Sequence, residues 1–127
     1  MPDTIELEIA TPERELVRES VSDVQIPGKD GYLGILPGHA ALLGMLGTGA
    51  LAYTAGGRKR KLAIQGGFVE VQSDQVRVLA NIAERGEEID VNRARSDLAA
   101  AESQMAADPE QALRAAALAQ ARIEAAT

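Results

Sequence analysis

Two short constellations hold the residue types from which chemistry is built. The first surrounds His39, the only histidine, in Gly31-Tyr32-Leu33-Gly34-Ile35-Leu36-Pro37-Gly38-His39-Ala40. An imidazole serves as general base, ligand or contact residue. General-base work needs a nucleophile or an orienting carboxylate beside the ring in a formed pocket, and the adjacent residues supply neither. A turn histidine bonded to backbone, or one that contacts a partner, is the better reading. The second constellation is Ile89-Asp90-Val91-Asn92-Arg93-Ala94. Asp90 and Arg93 are one helical turn apart, beside a helix start. Such a start and a guanidinium both suit phosphate, and a carboxylate bonds a ribose or an amino group. A capping Asp90 with a solvated Arg93 is the simpler account of the same residues.

Other chemistries fall away. Gly31 to Gly38 lacks the Lys-Ser/Thr of a phosphate loop and does not run from a strand into a helix. Cysteine is absent, which removes thiol catalysis, thiolate metal sites and disulfides, and no metal-ligand cluster stands out. A net charge of −6 disfavours nucleic acid and anionic lipid as direct partners. The one basic run, Arg58-Lys59-Arg60-Lys61, has no interleaved aromatics and suits a solvated hairpin end that guards an edge strand. A small carboxylate enzyme is disfavoured on the same grounds.

The elements that must position these residues fall into two parts. Ile5-Glu6-Leu7-Glu8-Ile9 alternates as a half-buried strand does. Glu15 to Val17, Val21 to Ile26, a short stretch around Leu33, Ala50 to Tyr53, Lys61 to Gln65, Phe68 to Gln72 and Val76 to Ile82 read as further strands. Turns are expected at Pro27 to Gly31, Pro37-Gly38, Gly47-Thr48-Gly49, Ala55 to Arg58, Gly66-Gly67 and Ser73 to Gln75. Such a series predicts an antiparallel β-sandwich or barrel with an aliphatic core, since Tyr32, Tyr53 and Phe68 are the only aromatics.

All twelve glycines lie at or before position 86, and an alanine-rich stretch follows. This predicts a boundary at Arg85-Gly86-Glu87, with a sandwich over 1–86 and an antiparallel two-helix hairpin over 87–127. Asp90 caps the first helix, whose Val91, Ala94, Leu98, Ala101 and Met105 form a narrow apolar stripe. Asp108 and Pro109 start the second, Glu110 to Ala126, where Leu113, Leu118 and Ile123 stand five apart and rotate around the axis. Alanine confers helix propensity but little buried area, so the hairpin should hold its shape only against a neighbour and is suited to a switch. There is no charged-then-apolar leader, and no apolar run reaches the roughly 18 residues of a membrane span. A soluble chain with a membrane link only through partners is expected.

Gly31-Tyr32-Leu33-Gly34-Ile35-Leu36-Pro37-Gly38-His39-Ala40-Ala41-Leu42-Leu43 resembles the signature of the epsilon subunit of bacterial-type rotary ATP synthases. Gln65-Gly66-Gly67-Phe68-Val69-Glu70-Val71, Val76-Arg77-Val78-Leu79-Ala80 and Ile89-Asp90-Val91-Asn92-Arg93-Ala94 agree with it in order and position. The resemblance implies about ten short strands followed by the hairpin, in a non-catalytic subunit. Its place would be the central stalk of a proton-translocating complex, at the cytoplasmic face of the bacterial plasma membrane. It places Thr11, His39, Leu42, Leu43, Gly44, Gln65 and Glu70 against the gamma subunit, and Gly31, Tyr32 and Leu33 against the ring of c subunits. Ala41 replaces a proline common in the family, and Tyr32 takes an often polar position.

The resemblance further implies a hairpin that extends to the alpha and beta subunits and inhibits ATP hydrolysis. No cofactor is required, but ATP is implied as a regulatory ligand, held by Glu84, Ile89, Asp90, Arg93, Ala94 and an arginine of the second helix, for which Arg122 is the candidate. Ala125 and Ala126 stand where a further arginine would help. A stand-alone nucleotide sensor is the alternative.

Overall fold

The alternation at the front becomes strand β1 (Ile5–Ala10), with Ile5, Leu7 and Ile9 buried and Glu6 exposed. The computed structural model describes residues 3–127. The strands that follow are β2 (Glu15–Val21), β3 (Asp23–Gly28), β4 (Gly31–Ile35), β5 (Leu42–Met45), β6 (Thr48–Ala55), β7 (Arg58–Gln72) and β8 (Gln75–Arg85). A 3₁₀ turn (Gly86–Glu88) then leads to helices α1 (Val91–Ser103) and α2 (Pro109–Ala126). The strands are ordered β2-β1-β8-β7-β6-β3-β4, and β5 also pairs with β7. Pairing is antiparallel except between β1 and β8.

Strand β7 is the spine. Along one edge it pairs with β8 from Leu62↔Arg85 to Gln72↔Gln75. Along the other, its first half meets β6 and its second half β5. Between the halves stand Gly66 and Gly67, at φ 68 and 113, where only glycine is at ease. The buried side chains are Leu62 and Ile64 before them but Val69 and Val71 after them, so the inward face changes parity. Opposite, Leu46 N donates to Gly67 O at 2.8 Å and Gly66 N to Gly47 O at 3.0 Å, so both strands bend together. The hydrogen-bonded sheet thereby folds over itself around one core of Ile, Leu and Val.

The strands number eight among the described residues, where the resemblance implies about ten. The stretches read at Lys61 to Gln65 and Phe68 to Gln72 are one strand, because Gly66-Gly67 bends it without ending it, and β5 is a strand the sequence reading did not give. The expected turn at Gly47-Thr48-Gly49 is likewise a break at Leu46-Gly47, with Thr48 and Gly49 already inside β6. Helix α1 packs chiefly on α2, which lies across the outer face of β6 and β7. Asp90 accepts from Arg93 N at 3.1 Å and Asp108 from Gln111 N at 3.2 Å, as their N-cap positions require.

A Cβ on Gly67 would collide with the carbonyl oxygen of Leu79, in a backbone region closed to alanine. Gly67→Ala should destabilise the fold by about 3 kcal/mol. Gly34→Ala, where nothing stands within 4 Å, should change stability by less than about 1 kcal/mol. Urea unfolding midpoints of the two variants check both values.

Candidate docking faces and helix seat

The fold divides one outer surface into two regions. Below the Gly66-Gly67 corner, the wet positions of three paired strands carry large apolar side chains. Met45 faces Phe68 across β5 and β7, and Phe68 faces Leu79 across β7 and β8. With Leu43, two residues along, they are 75% (Leu43), 61% (Met45), 53% (Phe68) and 40% (Leu79) exposed. Four adjoining apolar residues left in water are not the scattered exposure of an ordinary surface; they form a face built for a partner.

Several predicted contact residues gather here. Leu43 pairs with Glu70, and Gly44 with Val69. Thr11 follows Ala10, which is in register with Leu79, and its hydroxyl accepts from Glu13 N and Arg14 N to close the β1–β2 turn. Leu42 is half-buried against the core. His39 sits in the exposed connection leading into β5, with Nδ1 2.7 Å from Ala40 O, the backbone-bonded turn histidine the sequence allows. Gln65 stands apart: its amide donates to Thr48 Oγ1 at 3.3 Å and to the Arg114 carbonyl of α2 at 3.4 Å. Sequence reasoning missed Met45, Phe68 and Leu79. The buried Val69, Val71, Val76 and Val78 put Phe68 and Leu79 on the wet side, and that was the available signal.

Gly31, Tyr32 and Leu33 line a shallow hollow with Lys29, Gly44 and Met45, so this turn adjoins the apolar face. Gly31 takes φ 133 and leaves the turn open. The half-exposed Tyr32 ring reaches back over Gly49, and its hydroxyl accepts from Ala50 N at 3.2 Å.

Above the corner, the same outer surface seats α2. Ala50 and Ala63 of the sheet meet Ala121 and Ala125 of the helix, with Ile89 at the edge. Each buried methyl contributes on the order of 0.8 kcal/mol, so the seat is close-fitting but weak. Gly86 completes it, because any side chain there would strike the backbone carbonyl of Ala125. Lys61 Nζ reaches Glu124 O at 3.5 Å, where a cation suits a helix C-terminus.

The residues suggested for a nucleotide are partly engaged with one another. Arg122 Nε donates to Glu84 Oε1 at 2.7 Å. Asp90 is spent as the α1 cap, Ile89 packs on the alanine seat, and Ala94 is buried between elements. Arg93 makes no ion pair among the described residues. As arranged, Arg122 is held by Glu84 and is not presented to a phosphate.

The linker from sheet to hairpin is held by Glu88. Its carboxylate takes both terminal nitrogens of Arg14, at 3.0 and 3.2 Å, and Arg85 Nη1 at 3.2 Å. Arg85 also donates twice to the Leu16 carbonyl, at 3.1 and 3.0 Å. The Arg14 hydrogen bonds foremost, then the Arg85 amide and the charges of both arginines, hold the Glu88 carboxyl below its ordinary range against partial burial.

Comparison with known proteins places these features. Residues 4–86 match the family model described as the ATP synthase, Delta/Epsilon chain, beta-sandwich domain. A curated protein named ATP synthase epsilon chain from Solibacter usitatus is 56% identical over 128 aligned positions, covering 97% of this chain and 96% of that one. A protein of the same name from Carboxydothermus hydrogenoformans is 51% identical, covering 84% of this chain and 79% of that one. Among solved structures, a chain of the Euglena gracilis mitochondrial ATP synthase, in an assembly of OSCP, F1 and c-ring, superposes with a TM-score of 0.80. It is 27% identical, covering 98% of this chain and 79% of that chain.

Because the folded state depresses the Glu88 carboxyl, the clamp contributes fully above the ordinary carboxylate range and is lost as pH falls through the folded value. Carbon-13 titration of the Glu88 carboxyl should give a midpoint below its ordinary 4.5. Arg14→Ala should return that midpoint upward.

Proposed function

The chain belongs to the ATP synthase epsilon chains, and on that premise we propose that its sandwich grips the gamma subunit and the c ring while its hairpin acts as a movable brake on ATP hydrolysis. The bare apolar face of Leu43, Met45, Phe68 and Leu79 carries this reading. A chain of net charge −6 has ample polar residues to cover a free surface. A contiguous apolar face kept in water is what a permanent partner would cover. The adjoining turn at Gly31, Tyr32 and Leu33 projects from the same end and suits a second neighbour, the c ring.

In this role the chain is non-catalytic. It transmits torque between ring and catalytic head as a rigid clamp, and it meets the cytoplasmic face of the membrane only through the complex. The brake is the hairpin in its second position, extended along gamma toward the alpha and beta subunits. Its docked position is the one described above. Support comes from the seat: alanine methyls and a few rim hydrogen bonds are a small barrier to exchange for contacts elsewhere. ATP enters the proposal as a weak ligand at most, because Arg122 must leave Glu84 to meet phosphate.

Phe68→Glu places a charge at the centre of the apolar face and should weaken binding to gamma by about 100-fold or more. Deleting residues 88–127 should leave assembly and synthesis largely intact and raise hydrolysis. Gamma affinity unchanged in the first variant rules out this face; hydrolysis unchanged in the second rules out the brake. Calorimetry of ATP into the isolated chain should be silent at micromolar concentration, and tight binding there would overturn the ligand assignment.

A further inference from the structure

The connection from β4 to β5, residues 36–41, must hold His39 and aim β5 at its partner, yet it lies outside the sheet. Pro37 and Gly38 form its tip. His39 N donates to Leu36 O at 3.1 Å, and Gly38 takes φ 84, which is a proline-glycine turn of the second type. That turn leaves the Gly38 amide unused. It donates to Asp74 Oδ1 at 2.6 Å, a short charge-assisted bond across 36 residues of sequence. The other hydrogen bonds of this connection among the described residues are local, between Leu36 and His39 and between His39 and Ala40.

Ser73 and Asp74 form the two-residue β7–β8 turn at φ 50 and 58, both left-handed, a conformation that glycine, asparagine and aspartate accept. The backbone of Asp74 is itself fixed, since its carbonyl accepts from Glu6 N at 2.9 Å. Of the residues that suit this backbone, aspartate is the one that sets a carboxylate against the Gly38 amide.

We infer that Asp74 is a positioning residue for the docking face: anchored on the rigid β7–β8 turn, it fixes the 36–41 connection and hence His39 and the start of β5. The inference rests on the functional reading above. A connection held before the encounter does not have to be ordered during it, so the partner meets a prepared surface. Asp74 contributes without needing to touch gamma.

The test compares Asp74→Gly, which suits the left-handed turn but lacks the carboxylate, with Asp74→Asn, which keeps a carbonyl acceptor. Two readouts are taken on the full chain: hydrogen exchange of the Gly38 amide in the free protein, and affinity for isolated gamma. Asp74→Gly should speed Gly38 exchange and weaken gamma binding by about tenfold, with no loss of thermal stability. Asp74→Asn should restore most of both. Unchanged Gly38 exchange in Asp74→Gly overturns the inference. So does faster exchange with gamma affinity unchanged, or an affinity loss that merely follows a loss of fold stability. If the unaltered chain fails to bind gamma, the functional reading fails instead, and Gly38 exchange alone decides the positioning claim.

Discussion

At Gly67 the sheet has room for a hydrogen and no more. A strand of alternating side chains can bury one face only, so a single long strand would leave half of β7 pointing its apolar residues into water. Two consecutive glycines at positive φ remove that conflict by changing the inward parity from Leu62 and Ile64 to Val69 and Val71. One strand then serves both layers of the sandwich. The same change sets which residues face outward, and with them where partners and helices are received.

The outer surface is therefore split at the corner. On one side it is part of the rigid sheet and bares Leu43, Met45, Phe68 and Leu79; on the other it is a floor of Ala50 and Ala63 under α2. The two regions share β7 and β8 but differ in bonding. The docking side is fixed by strand pairing throughout. The helix side is fixed by methyl contacts, a glycine notch and rim bonds from Lys61, Gln65 and Arg122. Partly exposed bonds of this kind contribute little each. The linker is different again, because the charged hydrogen bonds of Arg14 and Arg85 pin Glu88 to the sandwich just before Ile89 and the α1 cap Asp90.

Local signals carried far in the sequence. The alternation of β1, the caps Asp90 and Asp108, and the glycine-free tail each depend on neighbours a few residues away, and each appears where expected. The α1 stripe is present with its weight on the small residues: Ala94 and Ala101 are buried, while Leu98 and Met105 are only half so. Leu113, at its five-residue spacing, is exposed. What escaped was long-range. Gly66-Gly67 reads locally as a turn, and only its pairing with Leu46-Gly47 shows a bent strand. The reach of Gln65 to the Arg114 carbonyl of α2, 49 residues on, has no local signal either. Arg14 and Glu88 are 74 residues apart, and no spacing rule joins them.

The central claim is that the sheet is one fixed body and the hairpin a separable one, seated on alanine and admitted by Gly86. Gly86→Ala tests it most directly, since the added methyl meets the Ala125 carbonyl and Gly86 itself does not lie in the left-handed region. Spin-label distances would be read from the sandwich to α2 and, as a control, between β1 and β7. The account predicts a longer and broader sandwich-to-α2 distance in the variant, with the control unchanged. An unaltered sandwich-to-α2 distance, or a change in both together, would contradict it.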